Sequence, residues 1–138
     1  MSERHKVLIV DDDPEVLLAT KMSLKRARYR DVRFALTTAA SGEEAVNAMR
    51  QDPEIAVVII DQIMESETAG LEACQRIRQE LGLRRPRLIL RSGLALTEGI
   101  PTGQGLETLD LTSVLPKGDM TPEGLLEKLT QALDDYYA

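Results

Sequence analysis

Four β-branched residues, Val57-Val58-Ile59-Ile60, run without a break into the carboxylate of Asp61. A run this short and this apolar predicts a strand buried on both faces, the situation of an interior strand in a parallel sheet. Parallel neighbours need long crossovers, so the chain on either side must supply helices. A carboxylate at the C-terminal end of such a strand lies on the rim where open α/β sheets place their sites. The same grammar recurs along the chain. Val7-Leu8-Ile9-Val10 leads into Asp11-Asp12-Asp13, Arg87-Leu88-Ile89-Leu90-Arg91 into Ser92-Gly93, and Val114-Leu115-Pro116 into Lys117. Four strand ends thus offer carboxylates, a hydroxyl and an ammonium to one rim, a set that suits a divalent metal and a phosphoryl group.

The segments between these runs read as helices. Asp13 is a side-chain cap with Pro14 as first helical residue, which opens a helix to about Arg28. Its inward candidates are Leu17, Thr20, Met22 and Leu24. Val32 to Ala39 is a further strand. Ser41-Gly42-Glu43-Glu44 is a capping box that starts a short helix through Ala45, Val46 and Met49, stopped by Asp52-Pro53. After a loop from Gln62 to Ala69, Leu71, Cys74, Ile77 and Leu81 form an apolar stripe on a helix from Gly70, which Gly82 ends. Glycines and Pro101 between Gly93 and Asp110 predict a loop with at most a short helix from Gly103 to Leu109. Thr121-Pro122 starts a last helix to about Tyr136, with Leu125, Leu129, Ala132 and Leu133 inward. Strands alternating with helices predict a three-layer α/β sandwich, a parallel sheet with helices on both faces.

At 138 residues the chain is expected to be one domain, 1–138. Aromatic residues are few and Trp is absent, so the core must be aliphatic. The net charge of −6 speaks against a nucleic-acid-binding surface. One local exception is a basic cluster, Lys25, Arg26, Arg28, Arg30 and Arg33, read either as a solvated helix end or as a docking patch for an acidic partner. The lone Cys74 excludes an internal disulfide and fits a reducing compartment; its core spacing indicates packing rather than reactivity. No apolar run approaches the roughly 18 residues of a membrane span, and residues 1–6 are too polar for a signal peptide, so the expected location is the cytoplasm with no membrane contact.

The chemistry follows from the acids. Mg²⁺ takes oxygen ligands in octahedral geometry and keeps several waters, which Asp11, Asp12 and Asp61 on adjacent strand ends can accommodate. Three carboxylates balance the combined charge of Mg²⁺ and Lys117. Such a site leaves Asp61 ionised, and aspartate is a nucleophile toward phosphoryl groups. Metal and lysine would neutralise the transferring group, and Ser92 would donate a hydrogen bond to it. Acids after strands also form turns and caps, and Asp13 is read as a cap only.

In these residues the chain resembles the receiver domain of two-component response regulators. The resemblance rests on Val10-Asp11-Asp12-Asp13-Pro14, on the apolar run into Asp61 with Met64 three residues later, on Ser92 and on Lys117, and it covers the whole chain. It implies a five-stranded parallel sheet of order 2-1-3-4-5, flavodoxin-like. It implies Asp61 as phosphoacceptor, supplied by a sensor histidine kinase or a phosphotransfer protein. It implies Mg²⁺ held by Asp12, Asp61 and the backbone carbonyl of Ile63, with Asp11 acting largely through water, while Ser92 and Lys117 contact the phosphoryl group. The chain is then no enzyme toward external substrates, and it regulates a partner, an output domain or a homodimer. It departs from the family pattern at Glu65, where proline is usual, and in a β-to-helix loop one residue longer than most. Gly93 stands for alanine, Gly118 for proline after the lysine, and Val114 for the aromatic switch residue. A receiver-like interaction module that works without phosphorylation is the runner-up, and a Mg²⁺-dependent phosphohydrolase a more distant alternative.

Overall fold

The computed structural model describes residues 4–62, 64, 66, 68–92, 111–116 and 121–138, with backbone alone at 92 and 111–116. Its elements are β1 (His5–Val10), α1 (Pro14–Leu24), β2 (Arg28–Tyr29), β3 (Val32–Ala39), α2 (Gly42–Gln51), β4 (Val57–Asp61), α3 (Ala69–Gln75), a π-turn (Arg76–Glu80), β5 (Arg87–Ser92), β6 (Leu111–Pro116) and α4 (Pro122–Tyr136). The sheet order is β2-β3-β1-β4-β5-β6. Every pairing is parallel except the two-residue β2 against β3. Without that short edge the five parallel strands have the expected order 2-1-3-4-5. The expected loop from Gly93 to Asp110, with its helix near Gly103 to Leu109, lies outside the described residues.

Alternation along the strands builds two cores. Leu8, Val10, Val58, Ile60, Leu88 and Leu90 pack on Ala45, Val46, Met49, Leu71, Cys74 and Ile77 of α2, α3 and the π-turn. Their neighbours Val7, Ile9, Val57, Ile59 and Ile89 pack on Leu24, Leu125, Leu129, Ala132 and Leu133 of α1 and α4. Period-two side-chain placement makes this division automatic once both faces are covered. Every residue of β4 is buried, as the apolar run requires. Cys74 is fully buried. Burial pushes its thiol up to about 12, against a smaller opposing effect of the Arg78 guanidinium, so it packs as a small apolar residue.

The caps fall where expected. Asp13 accepts from the Glu15 N–H, Ser41 from Glu44 and Thr121 from Gly124. Glu44 answers at the N–H of Ala40, at 3.2 Å, one residue before the cap itself. Gly82 has φ +70°, the left-handed conformation that ends a helix, and the Leu83 N–H reaches back to Ile77 O at 3.1 Å.

Two expectations need correction. Helix α1 stops at Leu24, and Arg28 lies in β2. Met22, taken as an inward residue, is 66% exposed, whereas Thr20 and Leu24 are buried and Leu17 packs against the core. The early stop has a physical cause. The chain must turn back through Arg30 and Asp31, both at positive φ (51° and 64°), to pair β2 with β3.

Candidate metal and phosphoryl site

Register assembles the acidic rim. Val10 pairs with Ile60 across β1 and β4, so Asp11 and Asp61 emerge side by side one residue later. Carboxylate oxygens of Asp11, Asp12 and Asp61 all lie within 4.8 Å of one another. Asp11 and Asp61 are buried, each 1% exposed, and Asp12 is exposed. The Asp run divides its labour. Asp11 Oδ1 accepts the Asp13 N–H at 2.9 Å, while Asp13 Oδ1 caps α1 through the Glu15 N–H at 2.9 Å. Asp13 is thus the helix cap that the sequence suggested.

This donor set suits a hard cation. Three carboxylate oxygens within one ion's reach match the oxygen preference of Mg²⁺, and the exposed side at Asp12 leaves room for water and a phosphoryl oxygen. Two of the three carboxylates are out of solvent, so their mutual repulsion is poorly screened and a divalent cation relieves it. Of the other expected residues, Ser92 ends β5, and its backbone pairs with Pro116 at the end of β6. That pairing brings the strand end before Lys117 next to the strand end of Ser92. Ile63 and Lys117 themselves lie outside the described residues.

Three nearby residues carried no weight in the sequence. Gly70 opens α3 so close to the end of β4 that an added Cβ would lie 2.7 Å from Gln62 Cα and closer still to Asp61 O. Only glycine tolerates this approach, and the Gly70 N–H donates to Gln62 O at 2.9 Å. Gln62 is fully buried, and its N–H donates to Arg91 O at 2.9 Å. Together these bonds fix the backbone that carries Asp61. Arg91 pairs in register with Asp61 and follows Ile89 on the α1/α4 side of the sheet. Its Nη1 donates to Thr20 Oγ1 at 3.3 Å, tying β5 to α1. A charged residue inside an apolar strand was the signal available for it.

Comparison with known proteins completes the picture. The family model described as "Response regulator receiver domain" matches residues 7–111. The chain belongs to the response regulator receiver family. It is 32% identical over 130 residues to a protein of Vibrio cholerae serotype O1 named 3'3'-cGAMP-specific phosphodiesterase 2, covering 94% of this chain and 24% of that protein. It is 37% identical over 84 residues to Response regulator GtcR of Aneurinibacillus migulanus, covering 61% of this chain and 31% of that one. The receiver therefore spans only about a quarter to a third of these relatives' length. In structure it is similar to a CheY-like receiver domain protein from Methanospirillum hungatei JF-1, with a TM-score of 0.74 at 20% identity, covering 98% of each chain. The receiver fold and the flavodoxin-like strand order inferred from the sequence are thereby established.

Proposed function

We propose that this receiver accepts a phosphoryl group on Asp61 in a Mg²⁺-dependent step and passes a conformational signal to a partner or an output domain. The observation that carries the reading is the meeting of Asp11, Asp12 and Asp61 within 4.8 Å at the C-terminal ends of the central strands. In the step proposed, an Asp61 carboxylate oxygen attacks the phosphorus of a partner's phosphohistidine. The P–N bond breaks as the P–O bond forms, and its electron pair returns to the imidazole, which takes up a proton. Asp11, Asp12, Asp61 and the Ile63 carbonyl would hold Mg²⁺, and Lys117 and Ser92 would engage the phosphoryl oxygens. Bound Mg²⁺ supplies neutralisation of the phosphoryl charge. The chain's own part is positioning: Gly70 and Gln62 fix the Asp61 backbone, and burial strips the nucleophile of bulk water.

The kinase or phosphotransfer partner needs a surface beside the rim. Leu18 and Met22, one turn apart on α1, are 59% and 66% exposed, an apolar pair that supports docking there. No helix among the described residues is long and apolar enough to cross a membrane, in keeping with the cytoplasmic setting that we propose. The test is mass spectrometry after incubation with acetyl phosphate and Mg²⁺. A single phosphoryl adduct is expected on the wild type, and none on Asp61→Ala or in excess chelator. Absence of any adduct on the wild type would favour the alternative, an interaction module that works unphosphorylated.

A further inference from the structure

At the end of the sheet opposite the acidic rim lies a groove of about 460 Å³, lined by Arg4, Lys6, Glu54, Arg85, Tyr136 and Tyr137. Its volume falls in the range of small-ligand sites, roughly 300–1,000 Å³. Its walls are held in place. The Tyr137 hydroxyl lies 2.8 Å from His5 Nδ1. His5 Nε2 lies 2.9 Å from Tyr29 O, a carbonyl that can only accept, so Nε2 carries a proton. Tyr137 also stacks on Tyr29, with centroids 6.1 Å apart and planes 17° from parallel. The Arg85 guanidinium sits 4.3 Å over the Tyr136 ring.

The charges point to an anion. Lys6 is matched by Asp52 at 3.1 Å and Glu54 at 3.9 Å. Arg4 and Arg85 have no carboxylate partner among the described residues, which leaves two guanidinium groups for one groove. Guanidinium is the side chain best suited to a phosphate, through parallel hydrogen bonds. Ordered aromatic and guanidinium planes beside such cations suit a flat ring attached to that phosphate. We infer that this groove binds a small phosphorylated ring compound of the nucleoside monophosphate class. A small ligand is favoured over a nucleic-acid strand. Asp52 and Glu54 flank Lys6, Asp31 lies beside Arg4, and Asp135 faces Arg87 at this end, so a long polyanion would have to cross carboxylates.

The probes are adenosine and guanosine 5′-monophosphate, titrated calorimetrically into the whole chain. Ring-proton NMR of the tyrosines gives a second readout, because the chain's only tyrosines, Tyr29, Tyr136 and Tyr137, all stand at this end. Saturable binding is expected with shifts of the tyrosine signals. Arg85→Glu should weaken it at least about tenfold, the worth of one lost charge-assisted contact. Tyr136→Ala should weaken it by about five- to tenfold through lost stacking. Arg85→Gln, at an exposed position, checks the first variant against misfolding and should also weaken binding. Asp61→Asn should leave binding unchanged, which separates this site from the phosphoryl reading. The inference is overturned if neither nucleotide saturates the groove. It is overturned equally if inorganic phosphate binds as tightly as the nucleotides, if the Arg85 variants bind like wild type, or if a single-stranded oligonucleotide binds more tightly per site.

Discussion

At the scale of single residues, this receiver depends on one atom that is missing. Gly70 has no Cβ, and any Cβ there would press into the backbone of Asp61 and Gln62. Gly70→Ala must displace either α3 or the end of β4. Overpacking of this kind costs about 1–3 kcal/mol, and urea unfolding should show it as a lowered midpoint. The same displacement moves Asp61, so its labelling by acetyl phosphate should slow by more than the loss of folded protein accounts for. A second residue-scale prediction concerns the lifetime of the phosphoryl group. Ile63 stands two residues after Asp61, and Leu94 two after Ser92. The resemblance to the family implies that these positions would flank the path of the attacking water. Neither side chain can hydrogen-bond that water, and positioning is much of phosphoryl-transfer catalysis. Decay of the phosphoprotein should be slow, and Ile63→Asn with Leu94→Glu should hasten it. A double variant that decays no faster would refute the idea.

At the scale of elements, the two-residue strand β2 shows what local signals miss. Its turn places Arg30 and Asp31 at positive φ, a conformation usually announced by Asn-Gly, and this sequence lacks that pair. The turn is held from outside. Tyr29 is buried, its hydroxyl donates to Asp134 Oδ1 at 2.6 Å, and the Arg30 guanidinium lies 5.0 Å over the Tyr29 ring. Tertiary contacts with α4 thus override weak turn chemistry. They also create a pH dependence. Burial first, and then the hydrogen bond to Asp134, push the Tyr29 hydroxyl above its ordinary value of 10.0. Above that value the unfolded chain has released the proton and the folded chain still holds it. The unfolded state then binds fewer protons, so stability falls as pH rises, until the folded group also titrates. Urea midpoints measured across this alkaline window should fall less steeply for Tyr29→Phe than for wild type. Helix α3 and its π-turn are a second case. Arg76 donates to Glu80 at 2.7 Å and also pairs with Glu43 on α2. The hydrogen bond from Arg76 holds the Glu80 carboxyl below its usual range. These are exposed pairs of small energetic weight, and they align α3 on α2 rather than hold the fold together.

For the whole molecule, the two ends of the sheet differ in charge. The acidic rim lies at the C-terminal strand ends, whereas the other end is mixed, with the arginines of β2, β3 and the turn before β5 among carboxylates such as Asp52, Glu54 and Asp135. A net charge of −6 hides this polarity. Concentrated negative charge should make stability depend on a divalent cation. A ligand that binds only the folded state stabilises it by mass action, about 2.7 kcal/mol at a hundredfold excess over its dissociation constant. Mg²⁺ should therefore raise the melting temperature of the wild type, and chelator should reverse the shift. Asp11→Ala combined with Asp12→Ala should melt higher than metal-free wild type, because repulsion is relieved, and should no longer respond to Mg²⁺. Thermal melts with and without the cation read both effects. An unchanged Mg²⁺ response in the double variant would remove these carboxylates from the metal site.

Composition and period were enough for much of this. Fully apolar runs can be satisfied only between two helical layers, so Val57 to Ile60 and Val7 to Ile9 dictated a parallel sheet. Side-chain caps at Asp13, Ser41 and Thr121 act within one turn, and local chemistry is legible locally. The acids of the rim were legible because each stands at the C-terminal end of an apolar strand or within two residues of it. What the sequence could not decide were relations across space. The level meeting of Asp11 with Asp61 is a matter of register between β1 and β4. The need for Gly70 arises from the approach of α3 to β4, and no spacing rule announces it. The tether from Arg91 to Thr20 joins residues 71 positions apart, and the clasp from His5 to Tyr137 joins residues 132 apart. Such contacts form only after the chain has closed its long loops, when packing, not local preference, decides which side chains meet.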